Sequence, residues 1–99
     1  MTDDDAHQKL RQRGRKNMER ILGSAYLAKR DAGTNSLNAA LRLLSEEFAY
    51  GTVWEGPELD SRQRSMLTIA VLCALNRPAE LRLHAAAGLR NGLDRKSVV

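Results

Sequence analysis

The sequence is poor in aromatic residues, in cysteine and in long apolar runs, and each shortage excludes a class of protein. One Trp, two Tyr and one Phe leave a core of aliphatic side chains, which favours helices over a sheet. The single cysteine, Cys73, excludes an internal disulfide and a multi-cysteine metal site, and its apolar surroundings predict a buried thiol of low reactivity. No apolar run approaches the roughly 20 residues of a membrane span, and no leader pattern is present. We therefore expect a soluble, cytoplasmic protein.

Positive charge is in excess and is concentrated near the N-terminus. The net charge is +4 and the pI is near 9.7. A basic arm of this kind can bind phosphates, but stacking aromatics and a recognisable nucleic-acid-binding motif are missing. We therefore expect a solvated helix face and no nucleic-acid partner. The basic residues in the first thirty positions are Lys9, Arg11, Arg13, Arg15, Lys16, Arg20, Lys29 and Arg30.

Apolar spacing predicts an all-α protein of about four helices in a single domain, residues 1–92. The first helix, about 6–22, carries a narrow stripe interrupted by Gly14 and is expected to be peripheral, with a stop at Gly23. Residues 24–35 are ambiguous. Ser36 is the expected N-cap of the next helix, which ends at Tyr50-Gly51. The two predicted stripes are Leu10, Met18, Ile21 and Leu22, and then Leu37, Ala40, Leu41, Leu44 and Phe48.

Two further helices are predicted in the C-terminal half. Residues 51–59 form a predicted loop whose Trp54 plugs a core edge or an oligomer contact, or, less commonly, lines a substrate pocket. Asp60 is a predicted N-cap with a capping-box partner three residues on. The helix that it starts is apolar nearly all round, so we expect it to be central or buried between subunits. The other predicted helix boundaries are Asn76, Pro78 and Asn91-Gly92.

The last helix carries a carboxylate and an imidazole on one face. Glu80 and His84 stand four residues apart, which places them about one turn from each other. They can form a proton-transfer site at the edge of an apolar wall, or an exposed pair without a function, and their spacing alone leaves both readings open. Arg62 and Arg64, just inside the preceding helix, can supply positive charge to an anionic ligand, although arginines in this position more often lie on the surface.

A longer pattern surrounds these residues. Residues 64–84, RSMLTIAVLCALNRPAELRLH, closely resemble the carboxymuconolactone decarboxylase family. Phe48–Trp54 resembles the aromatic-Gly-x-x-Trp element of that family, Arg20–Gly23 its Arg-x-x-Leu-Gly signature, and Asn91-Gly92 its Asn-Gly pair. The resemblance covers roughly residues 13–92, and the string from Arg64 to His84 is its most specific part.

The resemblance implies an AhpD-like helical fold, a homo-oligomer (trimer or hexamer) and no metal or organic cofactor. It implies decarboxylation of 4-carboxymuconolactone to 3-oxoadipate enol-lactone, a step of aromatic degradation in the β-ketoadipate pathway. His84 would be the proton donor or oxyanion partner, and Glu80 would orient it or shuttle the proton. Arg64 would anchor a substrate carboxylate, and Trp54 and Arg62 would contact the substrate. The related alkylhydroperoxidases use Cys-x-x-Cys-x-x-x-His, which is missing here, so thiol peroxidase chemistry is not expected.

The C-terminal segment departs from the family pattern. The family continues after Asn-Gly with Val-Thr-x-Glu-Glu-Ile and further helices, whereas residues 94–99 here, DRKSVV, resemble a translated sequencing adaptor. We expect residues 93–99 to be a non-native tail and the chain to lack the family's C-terminal helices. The alternatives are a family relative that acts on another lactone or a β-keto acid, and a non-catalytic helical assembly or binding module with a basic N-terminal arm.

Overall fold

The computed structural model describes residues 3–94, which are helical apart from short connections, so the prediction of an all-α fold is confirmed. The chain divides between Gly56 and Pro57 into two compact units. The single domain expected for residues 1–92 stays a prediction. Most of the expected non-native tail, residues 95–99, lies outside the described residues. The helices are α1 (Asp3–Leu22), α2 (Ser24–Ala32), α3 (Ala39–Leu44), a π-helix (Ser45–Val53), α4 (Ser61–Ala74) and α5 (Pro78–Arg90).

In the first unit, α1 packs against the π-helix and against α2. Its predicted apolar stripe is confirmed, since Met18, Ile21 and Leu22 are buried. The expectation of a peripheral helix is wrong, because Gly14 also lies inside the contact. A Cβ atom on Gly14 would overlap the carbonyl oxygen of Glu46, so the glycine lets two helix backbones touch. The helix ends as predicted at Gly23, whose φ of 98° is accessible mainly to glycine.

Residues 24–35, which the sequence pattern left ambiguous, contain α2. The turn that follows α2 is capped by Asn35 and not by the predicted Ser36. Asn35 Oδ1 accepts hydrogen bonds from the backbone N–H groups of Leu37 at 2.8 Å and Asn38 at 3.2 Å. The Asn38 side chain accepts the N–H of Asn35 in return, at 2.9 Å. This is a reciprocal cap of the kind usually made by Ser or Thr with Glu. The α3 helix itself begins at Ala39 with Asn38 as its N-cap residue, so the prediction of Ser36 as the cap is wrong.

The α3 helix continues directly into the π-helix, so the predicted end at Tyr50-Gly51 is wrong. The N–H of Trp54 donates to the carbonyl of Ala49, five residues back, at 2.9 Å. Gly51 lies inside this segment, where the chain passes close to α1. A Cβ atom at this position would come within 2.7 Å of the carbonyl oxygens of Glu46 and Leu10, so the contact requires glycine. The glycine thus allows a second close backbone approach to α1 and does not mark a helix end.

The second predicted apolar stripe lies on the surface of the described chain, which contradicts the expectation of burial. Leu41 is 70% exposed and Phe48 is 61% exposed. The physical reason is that α3 contacts its own continuation but presents this side to solvent, while Arg42 and Glu46 face the rest of the unit through polar contacts. The other exposed leucines of this stripe are Leu37 and Leu44.

The second unit is a helical hairpin of α4 and α5. Its local signals are confirmed. Asp60 Oδ1 accepts the N–H of Gln63 at 2.7 Å, and the Gln63 side chain accepts the N–H of Asp60 at 2.9 Å. Asn76 has a positive φ after the end of α4, Pro78 opens α5, and Gly92 has a φ of 97° just beyond it.

The described residues do not bury α4 on all sides, and the alternative that it is buried between subunits stays a prediction. Only α5 packs on it within this unit, so one face is covered and the opposite face is exposed. Leu67, Val71 and Leu75 are each more than half exposed. Cys73 is exposed too, which contradicts the expected buried thiol. Across residues 3–94, none of the helices combines the length and the apolar character that a membrane crossing requires.

Candidate functional site

The imidazole of His84 is the least satisfied polar group in the described chain. It lies on α5 and is half-buried, and its Nδ1 atom is fully buried without a hydrogen-bond partner among residues 3–94. Buried polar atoms are normally paired, and each exception calls for an explanation. Burial also lowers the pKa of His84 below its ordinary value of 6.5. At neutral pH the ring is therefore neutral, with one nitrogen able to donate and the other able to accept.

The predicted partner of His84 does not engage it in this structure. Glu80 lies one turn earlier on α5 and is exposed. No hydrogen bond or ion pair joins the two side chains within the described residues. The role of Glu80 in orienting His84 or shuttling its proton therefore stays a prediction.

The two predicted arginines stand in the first turn of α4. Arg64 is half-buried, and its Nε donates to the carbonyl oxygen of Leu59 at 3.2 Å, which fixes the base of the side chain. Arg62 is exposed and runs beside Gly92, where a Cβ atom would meet the Arg62 Cδ at 3.8 Å. The roles of both residues toward an anionic ligand stay predictions.

A buried hydrogen bond that sequence reasoning missed fixes the register of the hairpin. Ser65 is completely buried, and its hydroxyl oxygen accepts a hydrogen bond from Asn91 Nδ2 at 2.9 Å. The start of α4 therefore lies against the end of α5, and the two helices run antiparallel. Both residues lie in motifs that carry the family resemblance, so the resemblance was the signal that could have identified this hydrogen bond.

This register places the predicted residues along the hairpin. Seven residues separate Asn91 from His84, or about 10 Å along the axis at about 1.5 Å per residue. Along the helix axis, Arg64, next to Ser65, therefore lies about two turns of α5 from His84, while Glu80 lies a further turn away.

Trp54 belongs to the first unit, where it follows the π-helix. Its indole ring stacks on the phenol ring of Tyr50, with ring centroids 5.9 Å apart and planes at 14°. Burial raises the pKa of Tyr50 to about 12, so the phenol stays protonated at physiological pH. Trp54 is half-buried in this pair. Its contact with a substrate stays a prediction.

Three of the eight N-terminal basic residues do not belong to the solvated face that was predicted, since Arg11 and Arg15 are half-buried and Arg30 is buried. Lys9, Lys16 and Lys29 are exposed as expected. Arg11 and Arg15, in contrast, are half-buried and donate to carboxylates. Sequence reasoning missed this cluster because its acids lie 16 to 36 positions away in the chain.

Comparison with known proteins identifies the class to which this helical chain belongs. The model of the carboxymuconolactone decarboxylase family matches residues 40–99. Because this match covers more than half of the chain, the protein belongs to the carboxymuconolactone decarboxylase family, and the resemblance carried by residues 64–84 is confirmed.

Two curated relatives show what kinds of reaction occur among similar proteins. The nitrosuccinic acid decarboxylase of Metarhizium robertsii is 34% identical over 92 residues, which are 93% of this chain and 64% of that protein. The 4-carboxymuconolactone decarboxylase of Acinetobacter baylyi is 37% identical over 75 residues, which are 76% of this chain and 56% of that protein. The matches thus span less than two thirds of the length of either relative. No solved structure matches the chain significantly.

Proposed function

We propose that the protein is a carboxy-lyase that decarboxylates a small carboxylic acid without a cofactor, with 4-carboxymuconolactone as the leading substrate. The observation that carries the proposal is the half-buried His84 with its unpartnered Nδ1, on the helix that holds the most specific family motif. The similarity to two proteins named as decarboxylases supports the same reaction class.

The reaction requires a place for the electron pair that the carboxylate leaves behind. When the C–C bond to the carboxylate of 4-carboxymuconolactone breaks, CO₂ departs and the electrons pass through the C=C bond to the lactone carbonyl oxygen. The resulting dienolate needs a hydrogen-bond donor at that oxygen and then a proton on carbon. The product is 3-oxoadipate enol-lactone.

His84 is suited to the first of these tasks. Because burial lowers its pKa, the neutral ring can donate a hydrogen bond to a developing oxyanion without carrying a charge in the ground state. A neutral imidazole is also a proton carrier near pH 7. Glu80 would supply the proton from the exposed side, and Arg64 would hold a second carboxylate of the substrate through its fork of N–H donors. Arg62 would add a second cation for the substrate.

The second candidate substrate is nitrosuccinic acid, which the name of one relative favours. Loss of CO₂ from the carbon that bears the nitro group gives a nitronate, so again a carbanion is delocalised onto oxygen. The two substrates therefore demand the same site: an anchor for one carboxylate, a donor at the developing oxyanion and a proton source. Other lactones and β-keto acids satisfy this description as well.

The test is to incubate the purified chain with each substrate and to measure CO₂ release. We expect turnover of 4-carboxymuconolactone, and a loss of about 10²-fold or more in kcat for His84→Gln. The matched control is His7→Gln, which changes the exposed histidine of α1 and should leave kcat unchanged. Arg64→Lys should raise KM more than it lowers kcat. Undiminished turnover by His84→Gln would refute the proposed role, and release of CO₂ from nitrosuccinate alone would reassign the substrate.

We further propose that the chain acts as a homo-oligomer, a trimer or hexamer. The support is the exposed face of α4, where Leu67, Val71 and Leu75 follow one another at helical spacing; contiguous apolar patches of this kind usually mark interfaces. Sedimentation of the wild type should give a mass above that of one chain, and Val71→Glu should reduce it. A monomer at micromolar concentration would contradict the proposal.

A further inference from the structure

We propose that the first unit contains an anion-binding site, separate from His84, that takes a small organic dicarboxylate. The site is a cavity of about 480 Å³ bounded by α1, α2, α3 and the start of the π-helix. Cavities of roughly 300–1,000 Å³ are typical of small-molecule sites. No residue of the proposed decarboxylation site lines it, so this proposal is independent of that function.

The walls of the cavity carry more positive than negative charge. Four guanidinium groups line it, together with the two carboxylates of Asp31 and Glu46. Glu47 pairs with one of the arginines from outside the wall, at 2.8 Å. Even when Glu47 is counted, one positive charge is left without an acidic partner. The four arginines are Arg11, Arg15, Arg30 and Arg42.

The two carboxylates of the wall are paired with two of these arginines. Arg15 holds Asp31 through both Nη atoms, at 2.7 and 3.0 Å, and its Nη1 also donates to Glu46 at 2.8 Å. Arg30 is buried and donates to the same Glu46 oxygen at 2.9 Å. The hydrogen bonds from Arg15 lower the pKa of Asp31, so the acid stays ionised and does not compete for a proton.

Among residues 3–94, the wall guanidinium that forms no ion pair is that of Arg42. Its Nη1 donates to the carbonyl oxygen of Arg30 and to the Thr34 hydroxyl, and none of its hydrogen bonds among residues 3–94 goes to a carboxylate. These two contacts hold the guanidinium at the cavity wall while part of its donor fork stays open. A fixed guanidinium with open N–H groups is the preferred partner of a carboxylate or phosphate.

The rest of the wall determines the kind of anion. Gln8 and Gln12 contribute side-chain amides that make no hydrogen bonds within the described residues. Leu43 and Ala39 add apolar surface next to Arg42. A dicarboxylate with a short hydrocarbon body satisfies all three: one carboxylate pairs with the guanidinium, the second accepts hydrogen bonds from the amides, and the hydrocarbon covers the apolar wall. An inorganic anion would leave the apolar wall uncovered, which is why the site favours an organic dicarboxylate.

The experiment measures binding of three probes to the full chain by isothermal titration calorimetry. Glutarate, a five-carbon dicarboxylate, should bind saturably and more weakly at high salt. Inorganic phosphate should bind at least about tenfold more weakly, and the neutral diamide of glutaric acid should not bind, because it lacks the charge-assisted hydrogen bonds. Failure of glutarate to bind would overturn the proposal, and phosphate binding as tight as glutarate binding would overturn the assignment to an organic anion.

Paired variants locate the site. Arg42→Gln should weaken glutarate binding about tenfold, whereas Arg82→Gln, which changes an exposed arginine of α5, should not. Because Arg42 also contacts the backbone, a second variant avoids its contacts: Gln12→Glu adds a negative charge to the wall at an exposed side chain. It should also weaken binding, unlike Ala28→Glu on the exposed surface of α2. Unchanged affinity in both wall variants would place glutarate elsewhere and refute the site.

Discussion

The two units of the chain are stabilised by different interactions. The first unit buries charge: Arg30 and Glu46 form an ion pair in which both side chains are less than 10% exposed. Its helices also approach backbone to backbone at Gly14. The second unit is a hairpin fixed by a capping box and by one hydrogen bond between Ser65 and Asn91. The family motif thus lies on the unit with the simpler internal scaffold, whereas the unit with the polar interior holds the arginine-lined cavity.

The comparison predicts that single substitutions in the first unit cost more than equivalent ones in the second. The largest effect is expected for Glu46→Gln, because it leaves the buried guanidinium of Arg30 without its countercharge. Breaking a buried pair in this way costs about 3 kcal/mol or more. Urea denaturation of the full chain measures the loss. Glu47→Gln is the matched control one residue further on, where the partners Arg11 and His7 are partly exposed and the effect should be much smaller. Equal effects would contradict the distinction between the two acids.

Substituting alanine for one buried glycine in each unit tests whether substitutions cost more stability in the first unit than in the second. Gly14→Ala forces a Cβ atom onto the carbonyl oxygen of Glu46, which is rigid backbone, and we expect a loss of about 3 kcal/mol. At Gly88 a Cβ atom would meet Leu93 Cδ1 at 2.7 Å and Ile69 Cδ1 at 3.2 Å. These are the ends of flexible side chains, and alanine favours the helix by about 1 kcal/mol, so Gly88→Ala should change stability by about 1 kcal/mol or less. A larger loss for Gly88→Ala, measured by denaturation, would reverse the comparison.

The capping box of α4 should contribute less to the free energy of unfolding than the buried ion pair or the glycine contact of the first unit. Asp60→Ala removes the acceptor of the Gln63 N–H and should lower the free energy of unfolding by about 1 kcal/mol. Asp60→Ser keeps an acceptor and should restore most of that stability. If alanine and serine behaved alike in thermal unfolding, the cap would not contribute to the hairpin.

The smallest effect is a dependence of stability on pH in the second unit. Burial lowers the pKa of His84 below 6.5, so the unfolded chain takes up this proton more readily than the folded chain. Above about pH 6.5 the ring is neutral in both the folded and the unfolded chain, so it does not change the free energy of unfolding. As the pH is lowered from there through the depressed pKa, the free energy of unfolding falls. His84→Gln should remove this part of the pH dependence, and His7→Gln should not. Identical profiles for wild type and His84→Gln between about pH 7.5 and pH 5 would show that His84 does not contribute.

Features that depend on neighbours within about one helical turn could be predicted from the amino-acid sequence. A capping box, a proline at the start of α5 and a glycine at a positive φ each act on adjacent backbone groups, so their chemistry is readable from a few residues. The same holds for the motif from Arg64 to His84, which identified the family.

Contacts between side chains that are far apart in the chain could not be predicted in this way and became visible only in the folded protein. From the sequence, Gly14 is an interruption of an apolar stripe, whereas in the fold it is the point where Glu46 contacts α1. The apolar residues of α3 and α4 were predicted to be buried, but whether they are buried depends on how many helices pack on them. The pairing of Arg15 and Arg30 with Glu46 likewise depends on how three helices cross. The physical reason is that burial and ion pairing are properties of contacts between distant segments, and periodicity along one segment specifies a face but not what covers it.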